Sequence, residues 1–350
     1  MKQTNGYYRH PTISKNQIVF VSEDDLWTVN TSGGVGVRLT AGVGFASSPS
    51  ISEDGRLIAF MGSEEGSPEV YVMPAEGGSS RRLTYLSSNS RVLGWKDGEI
   101  LFYSNHGQPF RQDFYLYTIS PEGGEPQRLP YGMATAISFG KKGVVLGRKA
   151  MEPATWKRYR GGTAGELWVD KTGRGNFKRL FELKGNFTSP MWIGERIYFI
   201  SDHEGVGNIY SVNPDGNDIR KHTKQKEYYA RNAKTDGKKI VYHAGADIYC
   251  YDLKAKEDKK IKIVYNSPFV QRQRKFVPAV KYLESCDVHP DGSRLALGCR
   301  GKLYNMANWE GGVIQSGQAD GVRYRLSCWL NDGKRIVTVS DEGGEEHLEI

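Results

Sequence analysis

The sequence predicts an all-β fold: a six-bladed β-propeller followed by the first blades of a second, incomplete β-propeller. The main observation is a repeat of a short apolar strand, a polar gap and a third-strand segment, which recurs about eight times. Successive apolar strands begin roughly 40 to 55 residues apart, which is the period of a four-stranded blade. Glycine-bearing turns separate the strands in every repeat.

The eight repeats follow one another through the whole chain. The third-strand segment typically begins with an acidic or polar residue, followed by a hydrophobic and an aromatic residue. In chain order, the apolar strands and their third-strand segments are 17–20 with 25–27, 57–60 with 69–71, 100–103 with 115–117, 144–146 with 166–168, 197–200 with 208–210, 240–242 with 247–249, 295–297 with 302–304, and 336–338 with 347–349.

Each repeat predicts four strands in the order inner strand, apolar second strand, aromatic third strand and basic outer strand. An Asp-Gly turn such as Asp54-Gly55 precedes the apolar strand, where glycine accepts the positive φ of a hairpin turn. A second glycine turn leads to a short basic strand, as at Arg38. Middle strands packed between blades should be apolar, whereas an outer strand faces water. We therefore interpret the repeated aromatic side chains as packing residues: Trp27, Tyr71, Trp168, Tyr210 and Tyr249.

The repeat count sets the expected domain boundaries. Six repeats are complete by Ile263, so we expect residues 1–263 to form the six-bladed propeller and residues 264–284 to form an irregular linker. Residues 285–350 then hold the first one to two blades of a second propeller. Two blades cannot close a ring, because an open end leaves unpaired strand edges. We therefore expect this sequence to be a fragment of a longer protein.

Composition argues against several classes of partner. The formal net charge of +8 is spread over outer-strand arginines and residues 254–262, not concentrated with aromatics, so we expect no nucleic-acid partner. No apolar run is long enough for a membrane helix, and the amino terminus lacks the apolar segment of a signal peptide, so we expect no membrane partner. The four cysteines show no CxxC spacing, which is typical of reduced thiols in a cytoplasmic protein.

The sequence contains no motif for catalysis or metal binding. We find no GxSxG, HExxH or P-loop pattern. The His203-Glu204 pair lacks a second metal-ligating histidine, and the acidic turn at Asp215 lacks the closing Glu of a calcium loop. We therefore expect no catalytic residue, no metal and no cofactor in this chain.

Several segments resemble the amino-terminal propeller of the tricorn protease family. The most specific is residues 156–168, WKRYRGGTAGELW, and the segments 6–11, 22–27, 201–205 and 228–237 fit the same family. The resemblance implies that a seven-bladed propeller, a helical segment, a PDZ domain and a serine-peptidase core follow the first propeller. It also implies a hexameric cytoplasmic serine protease, a hydrolase that trims oligopeptides.

In that family the catalytic residues lie in the carboxy-terminal domains, so none is carried over to this chain. The resemblance therefore implies a non-catalytic portion for substrate and product gating and for scaffolding, with oligopeptides and its own downstream PDZ and peptidase domains as partners. The alternative is a free-standing TolB-like propeller that binds proteins or peptides, since its blades use similar Asp-Gly and Leu-Tyr patterns. Whether the chain itself is part of an enzyme stays open on the residues alone.

Three arginines on the expected inner strands are candidate channel residues: Arg9, Arg91 and Arg231. A peptide that docks or leaves by its carboxylate would favour basic groups on these strands. Strand alternation decides whether each side chain points into the channel or into a neighbouring blade.

The insertion between Arg148 and Glu166 is the second candidate region. It is longer than a hairpin needs, and long loops in compact domains are usually functional or contact a partner. Its side chains Trp156, Arg158, Tyr159 and Arg160 are of types enriched in interface hot spots. We predict a docking surface, with a lid over the blade as the alternative.

Overall fold

The computed structural model describes residues 6–42, 44–150, 154–269 and 277–350, and nearly all its secondary structure is antiparallel β-strand. The chain divides into two compact units, Met1–Gln271 and Arg272–Ile350. The described residues of the first unit form six four-stranded sheets. Each sheet comes from one continuous segment of chain, with the strands in sequence order, which confirms the predicted all-β propeller class.

The first three blades contain strands β1 to β13. Blade 1 contains β1 (Arg9–Ser14), β2 (Gln17–Ser22), β3 (Asp25–Asn30) and β5 (Val37–Arg38), with a two-residue strand β4 (Gly34–Val35) before β5. Blade 2 contains β6 (Ala46–Ile51), β7 (Leu57–Gly62), β8 (Glu69–Pro74) and β9 (Arg81–Arg82). Blade 3 contains β10 (Ser90–Lys96), β11 (Glu99–Ser104), β12 (Tyr115–Ile119) and β13 (Gln127–Met133).

The next three blades contain strands β14 to β25. Blade 4 contains β14 (Ala136–Phe139), β15 (Val144–Arg148), β16 (Glu166–Asp170) and β17 (Lys178–Arg179). Blade 5 contains β18 (Phe187–Ile193), β19 (Arg196–Ser201), β20 (Asn208–Val212) and β21 (Arg220–Lys221). Blade 6 contains β22 (Arg231–Thr235), β23 (Lys239–Ala244), β24 (Asp247–Asp252) and β25 (Glu257–Lys260).

The aromatic residues of the second and third strands pair directly across five of the six blades of the first unit, whereas in blade 4 Leu146 lies opposite Trp168. Phe60 lies opposite Tyr71, with ring centroids 5.7 Å apart, and Tyr242 lies opposite Tyr249 at 5.3 Å. Trp27, Tyr71 and Tyr210 are buried, as predicted, whereas Trp168 and Tyr249 are half-buried. Such cross-strand aromatic pairs contribute packing energy beyond their buried area.

In three blades, the acidic or polar residue that begins the third strand has a structural role. In blade 1, Thr40 donates a 2.7 Å hydrogen bond to Asp25 and accepts one from the backbone N–H of Leu26. Glu69 with Thr84, and Asn208 with Thr223, repeat this arrangement at 2.6 and 2.9 Å. The pairing fixes the chain beyond the outer strand onto the start of the third strand. It satisfies polar groups that would otherwise be buried without partners.

The ring closes between blades 1 and 6 without a shared four-stranded sheet. Beyond blade 6, β26 (Ile263–Val264) pairs in parallel with β4. The buried ring of Tyr265 then packs at 4.7 Å from Trp27, and its hydroxyl lies 2.7 Å from that of Ser22. Residues 264–269, which the sequence analysis assigned to the linker, therefore contact the first blade.

The second unit contains one short helix and two sheets among its described residues. The helix is α1 (Ala279–Tyr282). The four-stranded sheet contains β27 (Leu283–Val288), β28 (Arg294–Cys299), β29 (Lys302–Ala307) and β30 (Val313–Ser316). The three-stranded sheet contains β31 (Tyr324–Trp329), β32 (Ile336–Ser340) and β33 (His347–Glu349). Ala296, Leu303 and Tyr324 form its buried core. The interpretation of this unit as the first blades of a second propeller stays a prediction.

Candidate channel site

A cavity of about 1000 Å³ runs along the innermost strands of all six blades of the first unit. Each blade begins with its innermost strand, so these strands all start at the same face of the ring. Residues early in the strands, such as His10, Arg91 and Asn232, therefore line the end of the channel nearest that face. Residues of the following turns, such as Glu53 and Asp236, line the other end.

Four of the six innermost strands carry a β-bulge with a left-handed residue. The φ angles are 50° at His10, 49° at Ser48, 50° at Ser189 and 49° at Asn232. At each of these positions the pairing with the second strand shifts register. A bulge re-aims side chains, and the left-handed conformation costs a non-glycine residue about 1 kcal/mol or more. Strain at equivalent places in four blades marks the channel wall as a candidate functional surface.

Arg91 connects three blades at this end of the channel. Its Nη2 donates a 2.5 Å hydrogen bond to Oδ1 of Asn232 in blade 6 and lies 3.2 Å from Nδ1 of His10 in blade 1. The hydroxyl of Ser48, in blade 2, lies 3.4 Å from the same His10 nitrogen. The bulged strands thus bring together polar groups that lie far apart in the sequence.

Lys234 lies two residues beyond Asn232 on the same strand and also lines the cavity. Its Nζ donates a 2.9 Å hydrogen bond to the carbonyl of Pro49 in blade 2. The pKa of Lys234 is lowered to about 7, mainly by burial and secondly by the positive charge of Arg91. We refer to His10, Ser48, Arg91, Asn232 and Lys234 as the wall cluster.

His10 of the wall cluster and the neighbouring His243 are held neutral. Burial, followed by the charge of Arg91, lowers the pKa of His10 well below its ordinary value. The ring of His243 stacks on that of His10 with centroids 6.2 Å apart, and burial lowers the pKa of His243 to about 3. A neutral His10 can accept the hydrogen bond from Arg91 at Nδ1 and keep a proton on Nε2.

The three arginines predicted to line the channel lie at three different places in the structure. Only Arg91 lines the main channel. Arg9 is half-exposed and pairs with Asp24 at 3.6 Å, while Arg231 lines a second cavity of about 780 Å³ with Tyr228 and Tyr229. All three nevertheless lie close enough to His243 for their charges to lower its pKa.

The insertion loop is fixed to blade 5 by one buried carboxylate. Asp202 is fully buried and accepts hydrogen bonds from the backbone N–H of Arg158 at 3.1 Å and from Nη1 of Arg160 at 3.2 Å. It also accepts from the backbone and side chain of Asn186, whose amide donates in turn to the carbonyl of Tyr159. The loop therefore lies against blade 5 in a defined conformation.

The outer surface of this loop is aromatic and basic. Trp156 is 64% exposed, and its ring lies 5.2 Å from that of Tyr159. Thr155 lines the main channel, whereas Ala154 and Lys157 line the second cavity. Residues 151–153 of the predicted insertion lie outside the described residues. The loop thus contributes to the lining of both cavities and presents Trp156 to solvent.

Sequence reasoning missed five residues of these sites: His10, Ser48, Asn232, Lys234 and Asp202. One usable signal was a residue followed by proline at the same place in three inner strands, at His10, Ser48 and Ser189. The residue before proline is biased away from the helical region, and bulges interrupt strands at such places. Among the described residues, no group of three or more His, Cys, Asp or Glu side chains could hold a metal ion.

Comparison with known proteins gives one consistent result. Residues 5–257 match a family model described as the tricorn protease N-terminal beta propeller domain. The chain is 38% identical over 343 residues to a tricorn protease homolog of Saccharolobus solfataricus, covering 96% of this chain and 32% of the relative. It is 35% identical over 265 residues to the tricorn protease of Thermoplasma acidophilum, covering 73% of this chain and 25% of the relative.

Comparison of folds agrees with the sequence match. A crystal structure of the tricorn protease superposes with a TM-score of 0.83 and 28% identity, covering 99% of this chain and 35% of that one. The chain spans about a third of the length of the curated relatives it matches. In the described part of the chain, no helix has the length and apolarity needed to cross a bilayer.

Proposed function

Because the chain belongs to the tricorn protease family, we propose that its first unit is the gating and scaffold propeller of a cytoplasmic serine peptidase that trims oligopeptides. The unit corresponds to the non-catalytic amino-terminal propeller of that family. The observation that supports a gating role is the channel itself, of about 1000 Å³ and lined by all six blades. Its mouth carries Arg91 and Lys234, two cations suited to the carboxylate of a peptide.

The proposed peptidase activity belongs to the part of the relatives that this chain does not cover. They are about three times as long as this chain, and the family resemblance implies a PDZ domain and a serine-peptidase core in that remainder. We propose that these domains perform the proteolysis and that the parent protein assembles as a homo-oligomer, a hexamer by resemblance. The four cysteines are all unpaired, which fits a reducing compartment.

The insertion loop supports a second part of the proposal, a docking surface for another domain or subunit. Aromatic and arginine side chains are enriched at interface hot spots, and the loop presents Trp156, Arg158 and Arg160 on a backbone held by Asp202. A pre-ordered loop loses less conformational entropy on binding than a mobile one. The ring of the half-buried Tyr159 packs against that of Trp156.

The gating proposal is tested by photo-crosslinking. Oligopeptides that carry a benzophenone side chain are added to the 350-residue chain, and the labelled residues are identified by mass spectrometry. We expect labels on the innermost strands that line the channel, and no cleavage of fluorogenic peptides by the chain. Labels confined to the outer surfaces of the blades would contradict the channel role. Hydrolysis that persists through purification would contradict the non-catalytic assignment.

A further inference from the structure

The amine of Lys234 has few partners in the channel wall. Within the described residues its Nζ makes one hydrogen bond, to the carbonyl oxygen of Pro49 at 2.9 Å, and lies within ion-pair distance of no carboxylate. An ammonium group carries three N–H donors, so two of them lack an acceptor among the same residues. A neutral amine needs only the one acceptor that Pro49 provides. The site therefore favours a neutral amine over a buried ammonium.

The charge that acts on this amine is positive. Burial, followed by the charge of Arg91, lowers the pKa of Lys234, and no carboxylate of the described residues contributes to that shift. The charges of Arg91, Arg9 and Lys234 all lower the pKa of His10. Asp236, which follows the same strand, accepts instead from backbone N–H groups of its own turn. Conversion of Lys234 to an anion would therefore give Arg91 the counter-ion that it lacks among the described residues.

These surroundings make Lys234 a nucleophile near neutral pH. Only the neutral amine has a lone pair on nitrogen, and a lysine becomes a nucleophile when it is desolvated or lies beside another cation. With a pKa of about 7, about half of Lys234 is neutral at pH 7. An ordinary lysine, with a pKa of about 10.4, is neutral in roughly one molecule in 2,500. Lys234 therefore has about a thousandfold more of the reactive form than an exposed lysine.

We propose that Lys234 binds carbon dioxide covalently, as a carbamate whose carboxylate faces Arg91. The lone pair of the neutral Nζ attacks the carbon of carbon dioxide and forms an N–C bond, while the electron pair of one C=O π bond moves to oxygen. One proton leaves the nitrogen for water. The side chain then ends in –NH–COO⁻, and no oxidant, reductant or other reactant is needed.

The contacts already present suit this product. A carbamate nitrogen keeps one N–H, which matches the single hydrogen bond to Pro49. Within the described residues Arg91 donates only through Nη2, so its Nε and Nη1 are available to the new carboxylate. Carbon dioxide gives an anion here, whereas an aldehyde would give an uncharged or cationic imine beside Arg91. The positive charge of Arg91 therefore favours carbon dioxide over an aldehyde.

A carbamate would change the charge at this end of the channel. It replaces one of the two cations that the proposed function assigns to a peptide carboxylate by an anion, so peptide and carbon dioxide should compete. The carbamate itself is independent of that function, because it needs only the amine, Arg91 and dissolved carbon dioxide.

The test uses the 350-residue chain at pH 8 with ¹³C-labelled bicarbonate, which supplies carbon dioxide. Carbamate carbons are detected by ¹³C NMR, then fixed as ethyl esters with triethyloxonium and located by mass spectrometry. We expect a carbamate at Lys234 that is at least about tenfold more abundant than at any exposed lysine. The α-amino group of the chain, whose ordinary pKa is about 8, should also react and provides an internal positive control.

Two variants separate the roles of the amine and the guanidinium. Lys234→Arg keeps the positive charge but removes the nucleophile, so the signal at this position should disappear. Arg91→Gln removes the charge that lowers the pKa of Lys234 and stabilises the product, so occupancy should fall severalfold or more. Lys184→Arg and Arg174→Gln make the same exchanges at exposed positions and should change nothing. Thermal melts show whether each variant is folded, and Lys234→Arg still tests the site if Arg91→Gln does not fold.

A carbamate at Lys234 that is lost in Lys234→Arg and reduced in Arg91→Gln supports the site. Absence of a carbamate at Lys234 while the α-amino group is labelled would overturn it. Equal labelling of Lys234 and exposed lysines would also overturn it, because ordinary lysine chemistry would then suffice. Occupancy that Arg91→Gln leaves unchanged would overturn the contact with Arg91. None of these outcomes depends on peptide binding, so failure here leaves the gating proposal untouched.

Discussion

Arg91 in the third blade donates a 2.5 Å hydrogen bond to Asn232 in the sixth. In a ring of six blades taken in chain order, the third and sixth lie opposite each other. The same Nη2 also lies 3.2 Å from Nδ1 of His10 in the first blade. A ligand that enters from the face where the innermost strands begin therefore meets this hydrogen bond before it reaches the rest of the channel.

The contact of Tyr265 with the first blade predicts where the first unit ends. A version of the chain ending at Ile263 should still unfold cooperatively, because it contains all six blades, but should melt at a lower temperature than one ending at Gln271. The buried Tyr265 ring and its 2.7 Å hydrogen bond to Ser22 account for the difference. Tyr265→Ala in the longer version should cost roughly 3 to 5 kcal/mol. Equal melting temperatures of the two versions would show that this contact adds nothing to closure.

Asp202 should control the order of the insertion loop. Asp202→Ala removes the buried carboxylate that accepts from Nη1 of Arg160 and from the backbone N–H of Asn186, so we expect a loss of roughly 3 kcal/mol in the free energy of unfolding. Limited proteolysis should then cut the loop faster, as detected by mass spectrometry. Asp215→Ala removes an exposed partner of Lys171 and should cost less than about 1 kcal/mol. Unchanged proteolysis in Asp202→Ala would contradict the anchoring role.

Trp156 and Tyr159 should matter for assembly more than for the fold of this chain. Replacing both by Ala should change the melting temperature of the 350-residue chain little, because Trp156 is 64% exposed. In the full-length protein the same change should weaken association, since an aromatic hot spot typically contributes about 2 kcal/mol or more. Sedimentation velocity measures the assembly. A large loss of stability with unchanged assembly would remove the docking hypothesis.

Acid should destabilise the first unit through its buried histidines. An unfolded histidine has a pKa of about 6.5, whereas His243 has a pKa of about 3 and His222 of about 4 in the folded chain. The unfolded state therefore binds more protons between these values, so stability is full above pH 6.5 and falls as the pH drops toward 3. Urea unfolding at pH 7, 5 and 4 measures the loss. His243→Gln, which cannot gain this charge, should lose less stability with acid than the parent chain.

The bulge at Ser189 should tolerate glycine better than a branched residue. Its φ of 50° lies in the left-handed region, where glycine is unstrained and a branched side chain costs about 1 to 2 kcal/mol. We expect Ser189→Gly to be close to neutral and Ser189→Val to lower the free energy of unfolding by that amount. Denaturant melts of the two variants provide the comparison. Equal stability of the two would show that the backbone relaxes without strain.

The strand order of each blade could be predicted because its causes are local. Apolar runs, Asp-Gly turns and aromatic residues such as Phe60 and Tyr71 set strand type and pairing within about 40 residues. The acidic start of the third strand was visible in the sequence, but its partner threonine was not, since Thr84 follows Glu69 by fifteen residues and across a turn.

The wall cluster could not be predicted, because its members meet only through closure of the ring. Arg91 and Asn232 are 141 residues apart, and Arg91 and His10 are 81 apart. Strand alternation predicts which side chains face the channel only where the strand register is regular. The bulges shift that register, so the positions of residues along the inner strands did not show which side chains face the channel. The anchoring of Arg160 by Asp202 likewise joins a loop of one blade to a turn of the next.

The closure between blades 1 and 6 has a consequence for how such rings can change in evolution. Every described blade of the first unit is complete within one stretch of chain, and β26 adds only a two-residue parallel contact with β4. Duplication or deletion of one repeat therefore adds or removes a whole blade and leaves no neighbour half built. The number of blades can therefore change by whole repeats, and the contacts of Tyr265 with Tyr8 and Trp27 form only where the end of the last blade meets the first.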